Sequence, residues 1–291
     1  MIYGLKYLTF ILTLITLIAC GDDYIHPDMP LEEVEAKVTQ YPHLINSEAL
    51  IEALSYMNMS ESPNELEQYK RYFNFLLDNG ADLNRQSEGS DIYPLEFAIE
   101  YNSLEIIQFC IEKGARVNIK TIEGSVLHSC IKFGRSEGLY KYLVEQGADV
   151  NKTNEYTPLT RAIKKNQSWI KLTLETGTIP THIDISHAIS FDTHIGLIRL
   201  MIEQNKQCVT EKDPKGRSSL HWIARDDSSR DLKPLINLLI SHGADINDRN
   251  NKGETPLSIV KNRKYRSEKS LHGPDYNKHV YDYLMELSRT S

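Results

Sequence analysis

Several things are scarce in this sequence. It has only four cysteines in 291 residues, none in a Cys-x-x-Cys pair, which leaves neither a structural zinc site nor a thioredoxin-like redox pair. No P-loop, no Gly-x-Gly-x-x-Gly and no His-Glu-x-x-His occurs, so the usual phosphate cradles and zinc-protease helices are missing. His182, His187 and His194 stand too loosely for a ligand set, and no metal or cofactor is expected. Basic charge is also short, with 33 Lys and Arg against 40 Asp and Glu. That balance argues against a nucleic-acid footprint, which needs clustered cations to displace counterions. Beyond the extreme N-terminus no run of apolar residues is long enough to span a bilayer. What remains, 40% hydrophobic and 25% charged, is ordinary globular composition.

The N-terminus is different. Lys6 precedes a Leu- and Ile-rich run from Tyr7 to Ala19, short for a span but normal for the core of a signal peptide. The run ends in Leu17-Ile18-Ala19-Cys20, followed at once by Gly21-Asp22-Asp23. This resembles the lipobox of bacterial lipoproteins. The resemblance implies that residues 1–19 are removed, that Cys20 is lipidated, and that the chain faces the periplasm; Gly21 points to the outer membrane rather than the inner. Residues 20–30, with Pro27 and Pro30, read as the lipidated cysteine and a short tether. Each acyl chain contributes ~0.8 kcal/mol per buried CH₂, so more than one makes the anchor stable.

The rest of the chain repeats itself. One phrase recurs as Gly80-Ala81-Asp82-Leu83-Asn84, Gly114-Ala115-Arg116-Val117-Asn118, Gly147-Ala148-Asp149-Val150-Asn151 and Gly243-Ala244-Asp245-Ile246-Asn247. The first three copies are 34 and 33 residues apart, and the 96 residues before the last leave room for two degenerate copies. Each phrase follows an amphipathic run, such as Tyr72 to Leu77 or Leu235 to Ile240. A second phrase opens the units: Tyr93-Pro94-Leu95, Ser125-Val126-Leu127-His128, Thr157-Pro158-Leu159, Ser219-Leu220-His221 and Thr255-Pro256-Leu257. Thr or Ser supplies an N-cap hydroxyl, and Pro sits at the first helical position, where its missing N–H costs nothing. Gly after the second helix takes the left-handed conformation that ends it.

These two phrases together resemble the ankyrin repeat. The expected fold is therefore an all-α solenoid of about seven helix-turn-helix units, each burying its apolar face against its neighbours. Residues 31–45, with a helix over Leu31 to Gln40, read as an N-terminal cap, and residues 46–291 as the repeat domain. The first unit is expected to hold helices Glu48 to Met57 and Asn64 to Asn79. The fifth, near Ile183 to Val209, has lost both phrases. An insertion spans Asp226 to Pro234 in the sixth, a polar segment interrupts the last from Arg263 to Asp275, and a final helix covers Tyr276 to Leu287. Cys110 and Cys130 fall at core positions, whereas Cys208 lies in an irregular stretch and is expected to be more exposed. His128 and His221 read as structural histidines that bond neighbouring backbone. The pair Asp226-Asp227 reads as a solvated loop.

Positions on the first helix and loop tips that stacking does not dictate line a groove in such proteins, and the resemblance assigns partner recognition to it. Here those positions hold Phe97, Glu100, Tyr101, Lys132, Phe133, Arg161, Lys165, Trp222 and Arg225, with Tyr156, Ile119, Ile122 and the segment Lys152 to Glu155 at loop tips. Phe97, Phe133 and the Lys164-Lys165 pair have a plainer alternative, as core or as a solvated helix face. Aromatic residues and arginines of this kind dominate interface hot spots. Basic residues in an acidic chain point to a partner that is locally acidic. No convergent catalytic constellation is evident, so a binding protein rather than an enzyme is expected. A lipid-anchored ankyrin stack resembles the immunity lipoproteins that neutralise type VI secretion lipases, implying a phospholipase effector as partner. It is also similar to periplasmic ankyrin scaffolds that support an envelope enzyme.

Overall fold

The structure, a computed structural model, describes residues 24–101, 103–151, 156–227, 230–267 and 277–290. The expected signal peptide, residues 1–19, and Cys20 therefore lie outside the described residues, as do Lys152 to Glu155 and much of the polar segment before Asp275. Among the described residues the regular elements are sixteen α-helices and one 3₁₀ turn, with no strand, and no helix is long and apolar enough to cross a membrane. The chain divides into two compact units, Met1–Phe133 and Gly134–Ser291.

In the first unit, α1 (Leu31–Gln40) and the 3₁₀ turn Pro42–Leu44 precede α2 (Ser47–Met59), α3 (Pro63–Asp78), α4 (Pro94–Tyr101), α5 (Leu104–Glu112) and α6 (Val126–Lys132). The side-chain oxygen of Asn46 accepts from Ala49 N–H and that of Ser62 from Glu65 N–H, which fixes where α2 and α3 begin. Leu50, Leu54, Phe73, Leu76, Ile99, Ile107, Leu127 and Ile131 are sealed from solvent. Each such side chain contributes roughly 1.5–3 kcal/mol on burial.

Residues 24–30, expected as a tether, pack against this unit instead. Ile25 is buried, Tyr24 OH donates to Glu52, His26 meets Tyr56 OH, and Tyr69 OH donates to Asp28 Oδ1 at 2.8 Å. Burial outweighs the Tyr24 hydrogen bond at Glu52 and raises its carboxyl to about 8.

The second unit holds α7 (Glu137–Glu145), α8 (Pro158–Lys165), α9 (Gln167–Glu175), α10 (His182–Ser190), α11 (Ile195–Gln204), α12 (Gln207–Thr210), α13 (Ser219–Ile223), α14 (Lys233–Ser241), α15 (Pro256–Ser267) and α16 (Lys278–Thr290). Tyr140, Leu143, Leu159, Ile185, Met201, Ile236 and Leu284 form its core. Asp184 is completely buried. One of its oxygens accepts from Thr157 and Thr160, the other from the hydroxyl and N–H of Thr181, so a single carboxylate ties the start of α8 to the start of α10.

The repeat's finishing phrase is one local device in both units. Gly80, Gly114, Gly147 and Gly243 all have φ near +100°. The following alanine N–H reaches back across the helix end, as from Ala81 to Leu76 O at 2.9 Å and from Ala148 to Leu143 O at 2.9 Å. Gly177-Thr178 does the same, with Thr178 N–H to Thr173 O at 3.1 Å, so the irregular end of the fourth repeat keeps the geometry without the full phrase. The closing asparagine then binds the next repeat: Asn84 Oδ1 accepts from Arg116 N–H at 2.7 Å and Asn151 Oδ1 from Ile179 N–H at 2.7 Å.

Three local expectations are corrected. Cys208 is fully buried on α12, because Asn205 turns the chain inward after α11 and presents its next apolar residues to the core. Asp226 is no solvated loop residue: it pairs with Arg230, its backbone oxygen accepts from Asn277 N–H at 3.1 Å and its Oδ1 from Asn277 Nδ2 at 3.1 Å. The polar segment also starts later than expected, since α15 continues through Arg263 to Ser267. His221 meets its structural expectation, with Nε2 2.9 Å from Glu254 O, while buried His128 lies 2.8 Å from the Ser125 hydroxyl.

Candidate functional site

In the first unit the expected interaction residues divide between core and surface. Phe97 points inward and is only 5% exposed, with its ring 4.8 Å from that of Tyr101. Its place on the buried stripe of α4, flanked by Ala98 and Ile99, makes it a core residue and not a contact residue. Ile119 is likewise buried, whereas Ile122 stands 65% exposed at the loop tip. The tip is held from below by Glu96, whose Oε1 accepts from Ile122 N–H at 3.0 Å. Burial pushes the Glu96 carboxyl up to about 7, opposed by that hydrogen bond. Glu100, Tyr101, Lys132 and Phe133 are half-buried. Lys132 pairs with Glu123 and sits 5.0 Å from the centre of the Phe133 ring, so its charge is already matched within the chain.

In the second unit an aromatic group forms around Lys164. Tyr156 is 43% exposed and meets His187 edge-on, with centroids 5.5 Å apart. His187 in turn lies parallel to Phe191, which is 52% exposed. The Lys164 ammonium is 5.0 Å from the Tyr156 ring and 5.8 Å from the Phe191 ring. Solvent-facing aromatics with a cation on their faces give a flat, desolvation-ready patch. Arg161 is half-buried and Lys165 exposed on the same helix. Sequence reading found Tyr156, Lys164 and Lys165 but missed His187 and Phe191, because the fifth repeat carries neither phrase to set a register. The available signal was Thr181 to Asp184, a capping box that fixes the start of α10.

Trp222 and Arg225 mark a second place in this unit. Trp222 is half-buried with the Arg217 guanidinium 4.0 Å from its ring centre, and Arg225 is exposed.

Burial raises the Cys110 and Cys208 thiols to about 12, which keeps them protonated and inert at neutral pH. Among the described residues no group of three or more His, Cys, Asp or Glu could hold a metal. One motif escaped the sequence reading: Gly134-Arg135-Ser136-Glu137-Gly138 has the letters of a serine-hydrolase nucleophile elbow. An elbow needs a strand leading into it, and here Ser136 Oγ is the N-cap of α7, accepting from Leu139 N–H at 3.1 Å.

Paired helices, left-handed glycine ends and asparagine cross-links define a helical repeat protein that presents side chains to partners. Family models for ankyrin repeats match residues 66–154 and 95–184, in a three-copy form, and residues 215–251. They cover just over half of the sequence, and the chain belongs to the ankyrin-repeat family. A putative ankyrin repeat protein of Rickettsia felis is 26% identical over 212 residues, 67% of this chain and 53% of that relative. The chain spans about half, or less, of the length of the curated relatives it matches. The ankyrin repeat domain of Bcl-3, of the IkappaB family, aligns at a TM-score of 0.58 with 21% identity, over 81% of this chain and 97% of that one. A chain of the complex between the predatory endopeptidase Bd0816 of Bdellovibrio bacteriovorus and its immunity protein Bd3460 aligns at 0.40, with 22% identity over 83% and 98%, too weakly to bear on the fold. Ankyrin repeats are protein-interaction modules, typically without catalysis.

Proposed function

We propose that this chain is an envelope-anchored protein-binding lipoprotein that grips and neutralises a secreted lipase, of the phospholipase class delivered by type VI secretion, before it reaches lipid in the producing cell. The observation that carries this reading is the Leu17-Ile18-Ala19-Cys20 box placed directly ahead of ankyrin repeats. A lipid anchor on a partner-binding scaffold concentrates it at the membrane an incoming lipase would attack. The exposed Tyr156–His187–Phe191 group around Lys164 supports the reading, since tight complexes rest on a few desolvated aromatic anchors rather than on area.

The test is co-expression with an exported hydrolase encoded beside this gene. Cells making the hydrolase alone should lyse, and cells making both should grow. A Cys20→Ala chain should protect less at equal abundance. Equal killing with and without this protein would overturn the proposal.

A further inference from the structure

Asp213 and Asn250 each open a tight turn that ends in glycine, and the two turns are built alike. The Asp213 carboxylate accepts from Lys215 N–H at 2.8 Å and Arg217 N–H at 2.9 Å; the Asn250 side-chain oxygen accepts from Lys252 N–H at 2.9 Å and Glu254 N–H at 3.0 Å. Gly216 and Gly253, both at φ +73°, close them. The turns are also joined: Asn251 N–H donates to Lys215 O at 3.0 Å, and Asn251 Nδ2 to Pro214 O at 3.0 Å. A side chain at position 216 would come within 2.9 Å of the Asn251 backbone nitrogen, so glycine there permits the approach. The result is a joined pair of tips, each with an exposed lysine at the equivalent turn position, Lys215 in one and Lys252 in the other.

Below the tips lies an open cleft of about 510 Å³, lined by Lys215, Arg217, Arg225, Lys252, Arg263 and Glu254 among others. Five cations thus face one acid in a chain of net charge −7. That acid is engaged, with Glu254 Oε2 accepting from Asn250 Nδ2 at 3.0 Å. Arg217 is committed to Asp213, Nε to Oδ2 at 2.6 Å, and to the face of Trp222. Burial would raise the Asp213 carboxyl, but the Arg217 N–H and guanidinium outweigh it and hold the group below the usual carboxylate range. Arg263 leans on Asp227 at 3.7 Å and donates to Arg225 O. Lys215, Arg225 and Lys252 have no ion pair among the described residues. Like charges gathered on a preformed surface repel one another, and an incoming anion relieves that repulsion.

The geometry points to this cleft as a carboxylate-recognition site for an acidic, extended segment of a protein partner. A single phosphate would call for cations converging on one point. Here they are spread over two turn tips, the end of α13 and α15, a layout suited to several carboxylates in a row. The inference rests on the protein-binding reading, not on the identity of the partner as a lipase.

The test uses the full chain in non-ionic detergent, titrated with a hexaglutamate peptide and followed by tryptophan fluorescence, with W222F as the signal control. Saturable binding that weakens with added salt is expected. R225E/K252E, two exposed positions, should weaken it at least tenfold while the circular dichroism spectrum is unchanged, and hexalysine should not bind. Absence of hexaglutamate binding, or binding indifferent to the double reversal, would overturn the proposal. Inorganic phosphate binding as tightly as the peptide would also overturn it, in favour of a small-anion site. Because the readout is direct, these outcomes are separate from survival in the lipase assay.

Discussion

Residues 24–133 and 134–290 are written in the same repeat, yet they dispose of charge and aromatic rings in opposite ways. The first unit buries acids, with Glu52 and Glu96 almost sealed from solvent and both carboxyls raised. It also turns Phe97 inward and matches Lys132 to Glu123. The second buries one acid, Asp184, with a full set of donors, keeps Asp213 ionised beside Arg217, and leaves Tyr156, Phe191, Arg225 and Lys252 in the open. At the tips the contrast is one residue wide: Glu123 precedes Gly124 in the first unit, where Lys215 and Lys252 precede Gly216 and Gly253 in the second. The same backbone therefore serves as a stable base in one place and as a charged, aromatic contact surface in another.

The largest effect that could break this contrast concerns the aromatics. Phe97→Ala should cost roughly 3–5 kcal/mol of stability, as for other buried phenylalanines, whereas Phe191→Ala should stay within about 0.5 kcal/mol and act on partner binding instead. Urea midpoints of the two variants decide it, and similar midpoints would erase the distinction.

Next comes pH. The Glu52 carboxyl lies at about 8 in the folded chain against an ordinary 4.5, so the folded state holds a proton that the unfolded state gives up. Stability from this group is full below pH 4.5 and is lost as pH rises through about 8. The loss should be on the order of a few kcal/mol, seen as a lower urea midpoint at pH 8 than at pH 5. Glu52→Gln should flatten that slope, and an unchanged slope would mean that Glu52 is ionised in the fold.

The smallest effect concerns the paired tips. Gly216→Ala places a side chain against the Asn251 backbone at a left-handed φ, which should cost roughly 1–3 kcal/mol. It should also loosen acidic-peptide binding, because the lysines lose their fixed spacing. An alanine variant with normal melting would show that the two tips move independently.

Much of this fold was legible because its signals are local. A Thr before Pro caps a helix whatever surrounds it, and Gly before Ala ends one through bonds within six residues. The α1 boundaries and the first helix pair could thus be read within two residues, as could the buried histidines. The surface was less legible. Phe97 and Tyr156 are both aromatic residues near the start of a repeat, and only the neighbouring helix decides that one is covered and the other bare. Cys208, Phe191 and His187 sit in the repeat that lost its phrases, so no register placed them.

The sequence by itself determined the repeat, its period and its helix ends, all consequences of backbone preferences that act over a few residues. Tertiary structure alone decided which side chains remain available to a partner. It folded residues 24–30 onto the first unit, pinned Asp226 to Asn277, and drew two distant turns together so that their lysines share one cleft. Burial and charge depend on what arrives from elsewhere in the chain, and no local pattern records that.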